Sequence, residues 1–153
     1  MQLSLPELQA EWDQMRGLTL DLLAACSEED LLHEPPGSGA LWKQFRHVGG
    51  IHETYLAAID QGRIVFDLGA RTYRGGPSQS ALTEYFAGLS DRHADVFTHA
   101  ARDRQIDWFG EPVSLPLHLV RLIGHETLHH GQFILHWRAL KHPFPASWQA
   151  WGV

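Results

Sequence analysis

An all-α fold of four long helices is what this sequence predicts, and three observations predict it. Apolar residues recur at helical spacing over four long segments. Ser, Pro and Gly mark the ends of those segments, and no stretch reads as a strand pair. The chain has 153 residues, enough for one domain whose core needs no disulfide or metal to hold it. Residues 1–153 are therefore expected to form a single four-helix-bundle domain.

The first helix is expected over residues 5–25. Pro6 suits a first turn, with Glu7 beside it, and Leu8, Trp12, Met15, Leu18 or Thr19, and Leu22 form the inward stripe. Ser27 to Asp30 then opens a short turn that Pro35-Pro36 stops. The second helix is expected over 39–60, ending at Gly62, with Leu41, Phe45, Val48, Tyr55, Ala58 and Ile59 as apolar positions. Gly49-Gly50 in its middle costs about 1 kcal/mol per glycine against Ala, which points to close backbone approach or to space beside a functional group.

Residues 63–77 form a long connection. About fifteen residues reach roughly 45 Å when extended, and a 22-residue helix is about 33 Å long, so this segment can travel the length of the bundle. Helix three can then run parallel to helix two. Val65 and Phe66 are too few to make a strand. The third helix is expected over 79–102 with Ser78 as cap, and Leu82, Tyr85, Phe86, Leu89, His93, Val96 and Phe97 as its stripe. The fourth is expected over 115–141, capped by Ser114, with Pro116 in its first turn. Pro143 and Pro145 end it, and Trp148 and Trp151 are expected to pack back on the bundle.

Composition excludes several functions. Twelve Lys and Arg against 18 Asp and Glu give a net charge of −6, and no basic cluster stands out, so nucleic-acid binding is not expected. No stretch reaches the apolar length of a membrane span, and the start MQLSLPELQAEWDQ lacks the pattern of a signal peptide. A cytoplasmic location is expected. The single cysteine, Cys26, lies in an apolar run and reads as a small buried hydrophobe.

The 11 histidines nearly equal all Lys and Arg together, and histidine is the commonest metal ligand. His125 and His129 lie one helical turn apart on one face, a spacing that aims two imidazoles at one point. His118, Leu122, His125, His129, Gln132 and His136 share that stripe, which is too polar for a core unless it has partners or a metal. His125-Glu126-x-x-His129 also matches the zinc-protease signature. Its extended form fails at Gln132 and Leu135, where Gly and His would be needed, and no Asp or Glu follows Glu126 to act as third ligand. A third ligand must come from upstream. Helix two offers His47 and His52, five apart and on different faces, and the residues alone do not choose between them. His52, flanked by Glu53, is open to a solvated reading.

Two motifs carry a resemblance: His47-Val-Gly-Gly-Ile-His52-Glu53, and His125-Glu-Thr-Leu-His129-His130-Gly131-Gln132. Together they resemble the DinB-like (DinB/YfiT) superfamily of metal-binding four-helix bundles. Asp107-Trp108-Phe109-Gly110, Pro145-Ala-Ser-Trp148 and Trp151-Gly152 are also similar to members. The family pattern puts an acidic or polar residue five after the helix-two histidine, where this chain has His52. The resemblance implies metal ligands at His47, His125 and His129 and an up-down-down-up helix order with a long crossover between helices two and three. It implies zinc or nickel as metal, a homodimer, and a site with one open coordination position. On the same basis Gly49, Gly50, Gly124 and Gly131 are expected to give room for the metal and a ligand.

Better-understood relatives are thiol-dependent transferases or isomerases, so the resemblance implies a metal-dependent S-transferase joining a low-molecular-weight thiol to a small electrophile. Glu126 points about 100° from its neighbour His125 and is not expected to be the base. Gln132 is expected to hydrogen-bond behind the ligands, and Trp42, Tyr55, Tyr85 and Trp108 to wall an apolar pocket or pack in the core. The alternative is a non-catalytic metal-binding stress-response or sensor protein.

Overall fold

Caps set where the long helices begin and end in the computed structural model of the chain, which describes residues 4–153. Ser4 starts α1 (Leu5–Ala25) with a reciprocal box. Its hydroxyl accepts from the Glu7 N–H, and the Glu7 carboxylate accepts from the Ser4 N–H. Ser27 and Asp30 repeat the device at α2 (Glu28–Leu32). α3 (Leu41–Gln61) stops at Gly62, whose φ of 73° is the left-handed turn that glycine takes without strain. α4 (Gln79–His99) starts where the Ser78 hydroxyl accepts from the Ala81 N–H. α5 (Leu115–Leu140) carries Pro116 in its first turn and ends at a left-handed Lys141. α6 (Ala146–Gln149) follows Pro145. The expected spans hold within two or three residues.

Two strands depart from the sequence expectation. β1 (Gln105–Trp108) and β2 (Glu111–Ser114) pair antiparallel, with Ile106 opposite Val113 and both buried. Phe109 and Gly110 join them, both with positive φ, as a two-residue hairpin turn of the primed type requires. The Gly110 N–H donates to the Asp107 carboxylate at 2.7 Å. The usual Asn-Gly or Asp-Gly turn signal is absent and Pro112 interrupts β2, so the pair is weakly written in the sequence. The chain leaving α3 joins this hairpin, where Ile64 donates to the Asp107 carbonyl and Asp107 to the Gly62 carbonyl.

α1 and α3 each pack against both α4 and α5. At the centre Phe45 stacks on Phe133, with ring centres 4.5 Å apart, and meets Phe86 edge-on. Trp148 returns to this core and donates its indole N–H to the Leu18 carbonyl at 2.8 Å. Trp151, expected beside it, is exposed instead. Cys26 is buried, and burial pushes its thiol up to about 12, so it is a structural hydrophobe. Among the described residues no helix is long and apolar enough to cross a membrane.

Glycines on two helices predict opposite outcomes. A Cβ on Gly49 would lie 2.2 Å from the Tyr85 ring, whereas one on Gly88 in α4 meets nothing within 4 Å. Gly49→Ala should therefore destabilise the fold by about 1–3 kcal/mol, and Gly88→Ala should stabilise it by about 0.5–1 kcal/mol. Urea denaturation of both variants checks this, and equal midpoints would contradict it.

Candidate metal centre

Three imidazoles meet where α3 faces α5. His47 comes from the first half of α3, and His125 and His129 from successive turns of α5. Ring centres lie 5.3 Å apart for His47 and His125, 4.7 Å for His47 and His129, and 4.6 Å for His125 and His129. One nitrogen from each ring falls within 4.8 Å of the others, so the cluster could hold a metal ion. His129 is buried and the other two are half-buried.

The electrostatics keep all three rings neutral near pH 7. Burial, then the neighbouring His129, Arg71 and Arg46, bring His47 down to about 4. Burial, then His129 and His47, bring His125 down to about 3. Burial also lowers His129. Neutral imidazole is the form that binds metal, so no proton has to leave first.

Hydrogen bonding agrees with that use at His129 and His125, whereas Arg71 Nη2 lies 3.2 Å from His47 Nδ1. The Gln132 amide oxygen accepts from His129 Nδ1 at 3.0 Å, which leaves Nε2 bare. His125 Nδ1 is enclosed and, among the described residues, has no hydrogen-bond partner. A tetrahedral zinc site with bonds of roughly 2.0–2.1 Å holds its ligand atoms about 3.3 Å apart, so small rotations of the rings close the cluster. The donor set therefore fits a zinc-like ion.

His52 points elsewhere, and its expected solvation is overturned: it is fully buried. Glu126 reaches the same place from α5. Its carboxylate accepts from Arg16 Nε at 3.1 Å, Arg16 Nη2 at 3.2 Å and the Thr19 hydroxyl at 2.5 Å. His52 Nε2 lies 3.2 Å from the same carboxylate, and His52 Nδ1 lies 2.6 Å from Arg16 Nη2. One proton arrangement satisfies these contacts. His52 donates from Nε2 to Glu126, and its single Nδ1 lone pair is shared between Arg16 and the more distant His93 Nε2, 3.2 Å away. Thr19 donates to Glu126 and accepts from His130 Nε2 at 2.8 Å. Burial raises the Glu126 carboxyl, but Arg16 and then His52 outweigh it and hold the group well below the carboxylate range. Glu126 is thus an ionised, fully engaged partner and not a free base.

His118 and His136 of the expected polar stripe have structural partners, although His136 Nδ1 is enclosed with none among the described residues. His118 Nε2 lies 3.0 Å from the Tyr55 carbonyl while Nδ1 accepts from the Trp108 indole, and His136 meets the Ser38 hydroxyl. Tyr55 and Trp108 pack edge-on around His118, Trp42 lies under Arg46, and Tyr85 lies against Gly49. The four aromatics therefore do not wall one pocket. Nor do the four glycines make room for a metal. Gly49 admits Tyr85 and Gly50 admits Arg71, while a Cβ on Gly124 or Gly131 would meet open space.

Arg16, Thr19 and Arg71 were missed as functional neighbours. A signal for the first two existed, because Arg16 and Thr19 continue the inward stripe of Trp12 at spacings of four and three. An arginine on that stripe calls for a buried acid.

Two predictions follow from this electrostatic arrangement. Arg16→Met or Glu126→Gln alone should lower stability by about 3–5 kcal/mol, and the Arg16→Met/Glu126→Leu pair by clearly less than the sum. A double-mutant cycle by urea denaturation measures it, and strict additivity would contradict the coupling. The depressed histidines bind fewer protons than the unfolded chain does between the ordinary value of 6.5 and about 4. Stability should therefore fall as pH drops through that window. Equal urea midpoints at pH 7.5 and pH 5 would contradict this.

Comparison with known proteins places these features. The sequence signature of the DinB superfamily matches residues 11–133. A DinB-like protein from Bacillus cereus shares the fold with a TM-score of 0.79 at 18% identity, covering 95% of this chain and 99% of that one. A DinB-like protein from Bacillus subtilis does so with a TM-score of 0.71 at 17% identity, covering 92% and 96%. No curated protein matches the chain significantly. With its mostly helical fold and its signature over most of its length, the chain belongs to the DinB superfamily.

Proposed function

We propose that this chain is a divalent-metal-dependent S-transferase in which His47, His125 and His129 hold zinc or nickel. One observation supports its metal centre, three imidazole nitrogens kept neutral within 4.8 Å of one another, and the transferase part follows from the family resemblance. No Cys, Asp, Glu or fourth His joins them among the described residues, which favours a site with a position left open. A metal there supplies the positive charge that lowers a thiol's pKa into the neutral range. The three histidines hold that charge, and Gln132 orients His129. The thiol proton passes to solvent, since Glu126 is committed to Arg16. The sulfur then forms a bond to the electrophilic carbon of a small substrate, whose leaving group departs with its bonding pair.

The proposal includes a single domain over 1–153, a cytoplasmic location and the up-down-down-up order with 63–77 as crossover. Paired contacts support that order. Trp12 stacks on His93 while Gln79 reaches the Leu23 carbonyl, so α1 and α4 run in opposite senses. Phe45 meets Phe86 and His52 meets His93, so α3 and α4 run alike. Phe45 meets Phe133 and Tyr55 meets His118, so α3 and α5 oppose.

It also includes a homodimer formed through α5. Leu117, Val120, Leu128 and Leu135 are exposed, and with the exposed Gly124 and Gly131 they make one outward stripe at spacings of three and four. Two glycines on such a stripe permit close helix approach.

Three outcomes test the proposal. The metal-loaded protein should accelerate thioether formation between cysteine or glutathione and 1-chloro-2,4-dinitrobenzene, and His129→Ala should abolish this. Tight metal binding with no acceleration across a panel of thiols would instead favour the sensor reading. Gln132→Ala should weaken metal affinity about 10–100-fold. Leu128→Glu should convert the dimer to a monomer by light scattering, and a wild-type monomer would contradict the assembly.

A further inference from the structure

Beside the three histidines lies a cavity of about 310 Å³ lined by Arg46, Arg71, Tyr73 and Arg74. Three guanidiniums around one small space are unexpected in a chain with 18 acidic residues and 12 basic ones. Arg46 lies over the Trp42 ring, its Cζ 4.9 Å from the ring centre. Arg74 donates to the Arg71 and Tyr73 carbonyls, which ties it to the loop that carries Arg71. Arg71 lies flat against α3 because Gly50 has no Cβ, and one added there would come within 2.6–2.9 Å of its side chain. Its Nη2 reaches His47 Nδ1 at 3.2 Å, so the cavity and the histidine cluster share a boundary.

Among the described residues no carboxylate forms an ion pair with Arg46, Arg71 or Arg74. The ion pairs among the described residues use other groups. Glu53 acts on Arg71 through space, but its carboxylate accepts from the Thr72 N–H and hydroxyl. Arg46 and Arg71 are near enough to repel each other. The Nε of each is enclosed and, among the described residues, has no hydrogen-bond partner. Like charges held together around one open space favour an anion there, and guanidinium forks match carboxylates in geometry.

We propose that Arg46, Arg71 and Arg74 form a recognition site for the carboxylates of a small acidic molecule whose reactive end lies at His47, His125 and His129. The reactive end rests on the metal-dependent reading above, whereas the anion site itself does not. The Arg71–His47 contact links the two. A guanidinium only donates, so it occupies the lone pair of Nδ1 and leaves the proton on Nε2.

Two titrations separate the claims. Calorimetry of the metal-free full chain should show glutarate binding at one site and its diamide, glutaramide, not binding. Arg71→Gln and Arg46→Gln should each weaken glutarate about tenfold or more, and Arg71→Lys should recover only part of the loss. Equal behaviour of diacid and diamide, or glutarate binding untouched by Arg71→Gln, would overturn the site. In the cobalt(II)-loaded chain, 3-mercaptopropionate should give the sulfur-to-cobalt absorption band at lower concentration than 2-mercaptoethanol, and Arg71→Gln should erase that preference. A chain that binds glutarate but never loads cobalt removes the metal reading and leaves the anion site standing. A chain that binds glutarate and loads cobalt without preferring the acidic thiol overturns the proposal that the acidic molecule's reactive end lies at the histidines.

Discussion

The buried ion pair between Arg16 and Glu126 is the constraint on which the rest of the structure depends. Each group alone would be expensive to bury, so the two must meet, and they meet across 110 residues of sequence. Glu126 directly follows one member of the histidine cluster and lies three residues before another. Once its carboxylate is committed to α1, the rotation of α5 about its axis is set, and His125 and His129 face α3. His52 and His93 close the arrangement from α3 and α4, and Thr19 and His130 complete its hydrogen bonds. All four long helices are locked by one polar network, while apolar packing around Phe45 supplies most of the burial.

Two regions with different electrostatics lie side by side. The histidine cluster has its rings held neutral by burial and by one another. The neighbouring rim, Arg46, Arg71 and Arg74, is cationic and short of acceptors. Repulsion from the rim helps keep His47 unprotonated, so cationic side chains favour the ligand-ready form of the cluster without contributing a ligand. Glu126 pulls His125 and His129 upward, but burial outweighs it and both stay below the ordinary value. Separating the ionised pair from the neutral cluster is what one helical face apart, at 125 against 126, accomplishes.

Much of this was legible in the sequence, and the reasons differ by element. Helix ends were readable because Pro6, Ser78, Gly62 and Pro116 each satisfy or remove an orphan backbone group locally. The pairing of His125 with His129 was readable because a spacing of four has one geometric meaning. The choice between His47 and His52 was not readable from the residues alone and rested on the family resemblance, because their fates depend on Arg16 and His93 from other helices. The Gly49-Gly50 pair was read as close approach or as room for a metal, and only close approach holds; which side chains approach is a tertiary fact. They are Tyr85 and Arg71. The hairpin at 105–114 escaped because Phe109-Gly110 replaces the usual turn pair.

The central claim is that His47, His125 and His129 form the metal centre and His52 does not. The most direct test is metal per chain, by mass spectrometry, on untagged protein incubated with zinc or nickel. His47→Ala, His129→Ala and His52→Gln would be measured alongside, with folding checked by circular dichroism. The account predicts close to one metal per chain, lost in His47→Ala and His129→Ala and kept in folded His52→Gln. Little metal in the wild type, or metal that survives His47→Ala and disappears with His52→Gln, would contradict it.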